Sequence, residues 1–279
     1  MLSLQGHSAR ASCEKKWAAV LFVGLLALLH SCTPALIAGP LQGSRVPVWL
    51  RARRQDDWGT VEAAYDRISS NFGESRRFPW PFVVDWLGSP ETLRTRRLLV
   101  AGCGDGRHVQ TALELGFGQV FALDLSQGML EAAQRRLEGL DTENVAFLHG
   151  DTRTVPLPDA SVHDVLSCAV LHHLPLQESH IALRDMSRVL QPGGRLLASC
   201  WDPKAKAVAK RGKLIEDGEA HAYWVAWRCS DGRDVQRWYN LPPLDVRQKI
   251  WSDIPGLQLK KMGLDGDNQV FEWEKMHAG

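Results

Sequence analysis

The segment Gly102-Cys103-Gly104-Asp105-Gly106 is a loop in which every second residue lacks a side chain. Such a loop lets a bound molecule approach the backbone, where a Cβ would collide with it. Two carboxylates follow, Asp124 and Asp151, the second with Thr152 beside it. A carboxylate accepts on both oxygens, so Asp124 can take the two hydroxyls of a ribose. The glycines stand at 102, 104 and 106 with Arg107 next, so the G-x-G-x-x-G spacing of nicotinamide-binding loops is not met. A Walker loop would need Gly-Lys followed by Ser or Thr, which is absent here. Glycine and aspartate are also ordinary turn residues, so each position taken alone is compatible with plain turn chemistry.

These groups act together only if regular elements bring them together. Arg97-Leu98-Leu99-Val100-Ala101 is an apolar run that stops at glycine and predicts a buried strand. Val109 to Leu115 predicts a helix. Gly118 to Leu123 predicts a second strand, ending in Asp124. Ser126 is the expected N-cap of a helix through Met129, Leu130, Ala133 and Leu137. Val145–Leu148 predicts a third strand, ending near Gly150-Asp151, and Asp164–Cys168 a fourth. Ile181–Leu190 predicts a helix stopped by Gln191-Pro192-Gly193-Gly194, and Arg195–Trp201 a fifth strand. Leu244–Trp251 predicts a further helix, with late strands at Leu257–Leu259 and Val270–Trp273. Strands alternating with helices imply an α/β, doubly wound parallel sheet, in which ligands bind beyond the carboxyl ends of the strands. Each polar group named above falls at such an end.

The bulk composition restricts partners. With 44% hydrophobic and 23% charged residues the chain is an ordinary globular protein, and a net charge of +1 supplies no global field toward nucleic acid or membrane. A nucleic-acid partner must therefore be held by a local patch. Cys13, Cys32, Cys103, Cys168, Cys200 and Cys229 form no C-x-x-C pair, which reads as reduced thiols and no dedicated metal. Residues 1–55 read as a leader. Trp17–Leu29 is apolar and follows Arg10, Lys15 and Lys16, but it falls short of the roughly 20 residues a spanning helix needs. No acidic residue occurs from Lys15 to Gln55, where Arg45, Arg51, Arg53 and Arg54 stand. This pattern suggests secretory or organelle targeting, or a signal anchor, and confines membrane contact to the leader; simple disorder is the alternative.

The G-x-G-x-G loop after the first strand resembles motif I of the class I S-adenosylmethionine-dependent methyltransferases. The resemblance implies a Rossmann-like, mostly parallel seven-stranded sheet with an antiparallel late hairpin, and S-adenosyl-L-methionine as cofactor. It assigns Gly102, Cys103, Gly104, Asp105 and Gly106 to the cofactor's amino-acid part and Asp124 with Leu125 to its ribose. Asp151 and Thr152 fall to the adenine, and Cys168 to the same site. One departure stands out: the family's acidic residue two positions before the first glycine is Val100 here, and Asp105 is a candidate replacement.

The segment from Ala64-Tyr65-Asp66 through Arg76-Arg77-Phe78-Pro79-Trp80-Pro81 resembles the Trm9-like tRNA methyltransferases, including the AlkB-homologue type. Ala169–Leu174, Trp224-Val225-Ala226-Trp227 and Arg237-Trp238-Tyr239-Asn240-Leu241 resemble later segments of the same family, with departures at Ala226, Trp238 and Asn240. The resemblance spans residues 61–279. It implies methyl esterification of a carboxymethyl group on a wobble uridine, with tRNA as partner and a Trm112-like small zinc-binding activator, and a cytoplasmic setting that the leader opposes.

Arg76 would grip the carboxylate with its fork of donors. His172 or His173 would hydrogen-bond the acceptor, or act as base toward a hydroxyl or ring nitrogen. Tyr65, Trp80, Trp227 and Arg237 would contact substrate, with residues 203–240 as a recognition insert. Lys204, Lys206, Lys210, Arg211 and Lys213 form a basic stretch that can meet phosphates or remain a solvated loop. Tryptophans 224, 227 and 238 can stack on bases or close a hairpin. Two rival readings remain: a methyltransferase for a quinone- or lipid-type small molecule, and a non-catalytic protein that keeps the fold.

Overall fold

The computed structural model describes residues 56–88 and 92–277, so the expected leader lies outside the described residues. Strand β1 (Arg97–Ala101) shows how the core is organised. Leu98 and Val100 point into one apolar layer and Leu99 and Ala101 into the other. A strand buried on both faces reads as a continuous apolar run, which is why its sequence does not alternate. It pairs in parallel with β2 (Gln119–Asp124) and β4 (Val162–Cys168), and β2 pairs in parallel with β3 (Val145–His149). Strand β5 (Leu190–Trp201) runs parallel to β4. The hairpin β9 (Leu257–Asp265) and β10 (Asn268–Lys275) completes the sheet antiparallel, in the order β3-β2-β1-β4-β5-β10-β9. The strand order reverses between β1 and β4, where such sheets place a ligand crevice.

Helices cover both faces. On one side lie α2 (Pro81–Gly88), α3 (Arg107–Leu115) and α4 (Gln127–Arg136). On the other lie α5 (Leu176–Val189) and α7 (Leu244–Trp251), joined where the Trp251 indole N–H donates to Ser179 at 2.9 Å. Ser126 caps α4 as expected, accepting from the Met129 N–H at 3.1 Å. Below the site, buried Asp164 is gripped by Arg96 (2.6 and 2.8 Å) and Arg195 (2.8 Å), tying β1, β4 and β5 together.

One expected helix is corrected at both ends. α5 begins at Leu176, directly after Pro175, which holds the N-cap position with an extended ψ of 149° and no side-chain cap. Gln191-Pro192-Gly193-Gly194 does not cap it. The chain passes straight into β5, Leu190 already pairs with Val162, and the glycines absorb a register shift before Arg195 meets Asp164.

Two pieces stand outside the main sheet. Helix α1 (Asp56–Phe72) precedes the core. After β5, helix α6 (Lys206–Arg211) leads into a separate antiparallel sheet of β6 (Gly212–Leu214), β7 (Ala222–Arg228) and β8 (Asp234–Asn240). In it Trp224 faces Trp238 across the strands, the hairpin role. The basic stretch 204–213 is ordered here as α6 and β6, its lysines and Arg211 exposed. Among the described residues no helix is long and apolar enough to cross a membrane, and no cluster of His, Cys, Asp and Glu is placed to hold a metal.

Candidate active site

The ends of β1, β2, β3 and β4 open into one cavity of about 1040 Å³. Gly102, Cys103, Gly104, Asp105, Asp124, Leu125, Asp151, Thr152 and Cys168 all line it, with Tyr65, Arg76, Trp80, His172 and His173 on the opposing wall. The glycine loop is held by its backbone: the Gly102 and Cys103 N–H groups both donate to the Leu123 carbonyl at 2.8 Å. At Gly102, φ is +78° and a Cβ would lie 2.2 Å from Val170, so no other residue fits. Gly104, with φ +54°, faces space: the nearest atom to its would-be Cβ is Phe72 Cε1 at 3.8 Å. A side chain there would occupy the cavity that the loop borders. Gly106 is corrected, since it does not line the cavity. It starts α3, and its would-be Cβ sits 2.9 Å from Ala133, so it serves the packing of α3 on α4.

Asp124 accepts from Gly104 N–H at 2.8 Å on one oxygen and from Ser126 N–H at 2.9 Å on the other. Each oxygen keeps a further acceptor position, as two ribose hydroxyls require. Burial pushes its pKa up to about 6, against the pull of the Ser126, Gly104 and Leu125 N–H groups. Asp151 reaches the cavity with its carboxylate shared by Arg153, which extends to Glu178 at 3.2 Å. Val100 sits in the apolar layer beside Leu98, so the loop has no carboxylate beneath it. Asp105 does not act as a free substitute, because Arg136 pairs with it. Burial raises the thiol of Cys103 well above its ordinary value and that of Cys168 to about 12, which leaves both as neutral packing groups.

The opposing wall is built by α1, the turn after β4 and β8. Ala169 holds a left-handed φ of +58°, turning the chain across the cavity floor toward the histidines. His173 Nδ1 lies 2.7 Å from the Trp238 carbonyl, so this nitrogen carries the proton. Its Nε2 then accepts from the Tyr65 hydroxyl, also at 2.7 Å. His172 Nδ1 accepts from Trp201 N–H at 3.0 Å. Burial holds His173 down at about 3 and His172 well below its ordinary value. The expectation of a histidine base is therefore corrected: both rings are buried, neutral and used for positioning, and His173 has no free lone pair.

Asp66, next to Tyr65, fastens α1 in place. It accepts from Ser126 Oγ at 2.5 Å and from Gly128 N–H at 3.1 Å, at the positive end of α4. The resemblance covered Ala64-Tyr65-Asp66 without indicating this clasp.

A second cavity, about 1260 Å³, adjoins the first. Arg76, Trp80, Arg107 and Trp201 line both and form the junction, while Trp227 and Arg237 belong to the second alone. The Arg76 guanidinium lies 4.3 Å over Phe72 and 4.9 Å over Trp227, and burial lowers its pKa from the ordinary value. Arg237, 2% exposed, sits among the rings of Trp227 (5.0 Å), Tyr239 (5.3 Å), Tyr65 and Trp201 (6.0 Å each). Its hydrogen bond to the Tyr65 hydroxyl is long at 3.5 Å, and its Nε has no hydrogen-bond partner. Among the described residues no carboxylate pairs with it.

Sequence reasoning missed several site residues. Tyr239 alternates with Arg237 on β8 and is 1% exposed, a period-2 signal that was available. Trp201 closes β5 and stacks on Tyr239 at 5.2 Å. His108 follows the loop, lines the first cavity and has no hydrogen-bond partner on either ring nitrogen; burial lowers it to about 3.

Comparisons with known proteins agree with this geometry. Residues 99–198 match a family model described as a methyltransferase domain. An Encephalitozoon cuniculi protein described as a methyltransferase is 31% identical over 216 residues, covering 77% of this chain and 95% of that one. The mouse tRNA (carboxymethyluridine(34)-5-O)-methyltransferase ALKBH8 is 28% identical over 166 residues, 57% of this chain. The alignment spans 23% of that longer relative. Among solved structures, the CcbJ methyltransferase of Streptomyces caelestis aligns with a TM-score of 0.61 at 16% identity, covering 78% of this chain and 98% of that one. A Haloferax volcanii methyltransferase in complex with its Trm112 activator aligns at 0.59 and 16%, covering 78% and 99%. At such identities the two structures speak to the fold alone.

Proposed function

The chain belongs to the class I S-adenosylmethionine-dependent methyltransferases, and on that premise we propose that it esterifies the carboxylate of a carboxymethyl group on a wobble uridine of tRNA. The observation that carries this reading is Arg237, a buried guanidinium without a carboxylate partner among the described residues, beside Arg76 at the junction of the two cavities. A buried charge left unpaired is costly, and an arginine fork suits a carboxylate in particular. An anionic acceptor placed there supplies the missing counter-charge.

The cofactor fits the residues present. The Gly102–Asp105 backbone would lie along its amino-acid part, Asp124 would accept its ribose hydroxyls, and Asp151 with Thr152 would border the adenine. When bound, S-adenosylmethionine supplies a methyl group on a sulfonium centre. Arg76 and Arg237 would hold the acceptor carboxylate, and Tyr65, fixed by His173, would set its orientation. Trp201, Tyr239 and Phe72 exclude water around it, so positioning does most of the work. A carboxylate of pKa about 4 is already ionised at neutral pH, so no base has to remove a proton. That agrees with an acceptor-side wall whose histidines, His172 and His173, are committed to hydrogen bonds. A hydroxyl acceptor would need a base that this wall does not offer.

A Trm112-like activator remains part of this proposal, with β3 and β9 as the sheet edges open to it. The experiment is methyl transfer from labelled cofactor to an anticodon stem-loop carrying 5-carboxymethyluridine, with and without such an activator. Ester formation, read by nucleoside mass spectrometry, is the expected result. Cofactor binding without transfer under either condition would remove the acceptor assignment.

A further inference from the structure

The second cavity has an outer rim that the esterification reading does not use. Its wall carries Arg76, Arg77, Arg107, Arg211 and Arg237 against one acidic side chain, Asp267. For a chain of net charge +1 this is a local concentration of positive charge. Among the described residues no ion pair joins Arg77, Arg107 or Arg211 to a carboxylate, so the charge is not cancelled within the fold. Aromatic faces stand between the arginines: Arg107 lies 4.4 Å over the Trp80 ring. Phe78, in the same stretch, is 81% exposed, where a large apolar ring gains nothing from folding. The cavity contains none of the residues at the ends of β1 to β3, and it meets the cofactor side only at Arg76, Trp80, Arg107 and Trp201.

We propose that this cavity is the track for a single strand of RNA. Arg77 and Arg211 take backbone phosphates on either side of the acceptor nucleotide, Phe78 stacks on a neighbouring unpaired base, and the acceptor base passes the junction toward the cofactor. Guanidinium groups beside an exposed ring are what an unpaired strand requires, since every base offers a face and every nucleotide a phosphate. This rests on the reading of the acceptor as an RNA uridine, but it concerns grip rather than methyl transfer.

The test is fluorescence anisotropy with a labelled anticodon-loop oligonucleotide that carries ordinary uridine, titrated across salt concentrations. Arg77, Phe78 and Arg211 are exposed, so their replacement leaves the core intact; calorimetry with S-adenosylmethionine checks this for each variant. Each phosphate contact to a single strand contributes a slope of about 0.7 in log affinity against log salt, or about fivefold at 0.1 M. The double variant R77A/R211A should therefore bind about 25-fold more weakly, with the slope reduced by about 1.4. Phe78→Ala should weaken binding about fivefold or more with the slope unchanged. Wild-type affinity and slope in the double variant, or equal binding of duplex and single strand, would overturn the proposal. The two readings fail separately. If these dependences hold but no ester forms on carboxymethyluridine, the track stands and the acceptor assignment falls. If ester forms while the variants bind normally, the track falls alone.

Discussion

Replacing Arg237 with Met separates a substrate-binding arginine from a structural one. Met has a similar length and no charge, so Trp227, Tyr239, Tyr65 and Trp201 keep an apolar neighbour. In the free protein the guanidinium has one long hydrogen bond and ring contacts. Its removal forfeits ring attraction of about 1–2 kcal/mol but also relieves an unpaired buried charge, so global stability should stay within about 1 kcal/mol of wild type. Activity should respond quite differently. A hydrogen bond to a charged group contributes about 1.5–3 kcal/mol, so kcat/KM for a carboxymethyluridine stem-loop should fall about 10- to 150-fold. The loss should lie mainly in KM. The acceptor carboxylate loses its charge as the ester forms, so a guanidinium holds the ground state at least as strongly as the transition state. Arg237→Lys keeps the charge without the fork and should recover part of the affinity. Steady-state kinetics and urea unfolding read the two effects. A wild-type KM, or a stability loss of several kcal/mol, would refute the assignment.

Three further outcomes follow from the geometry. Asp124, at about 6, loses its charge as pH falls, so cofactor affinity measured by calorimetry should drop about tenfold from pH 7 to pH 5, and Asp124→Asn should bind weakly at both. At saturating cofactor, kcat should show no rising limb between pH 6.5 and 8, because burial keeps both histidines neutral throughout; an inflection near 7 would restore a histidine base. Asp164→Asn should cost about 3 kcal/mol in urea unfolding, since Arg96 and Arg195 lose their shared carboxylate, while cofactor affinity at saturating folded protein stays unchanged.

What could be read in the sequence follows from the range of the interactions. The β1 to β3 ends were legible because each strand stops at or beside a glycine or aspartate, a local signal. Ser126 was legible as a cap for the same reason. The start of α5 at Leu176 was hidden because a proline N-cap leaves no side-chain signature of the kind Ser or Asp does. The state of the histidines was not legible at all: His173 is fixed by Trp238 and Tyr65, which arrive from β8 and α1. The same holds for Asp105, whose partner Arg136 lies a helix away. Arg237 was placed from resemblance, yet its want of a counter-ion emerges only when the surrounding residues are seen to be rings.

The Asp66 clasp has a thermodynamic corollary. Asp66 and Tyr65 are consecutive residues of one helix; one grips the segment that follows Asp124, the other lines the cavity and bonds His173. Whatever free energy the cofactor invests in stiffening Asp124–Ser126 is felt by the tyrosine one residue along the chain. Linkage then works in both directions: RNA should tighten cofactor binding by the same factor that cofactor tightens RNA binding, and Asp66→Ala should bring that factor toward one.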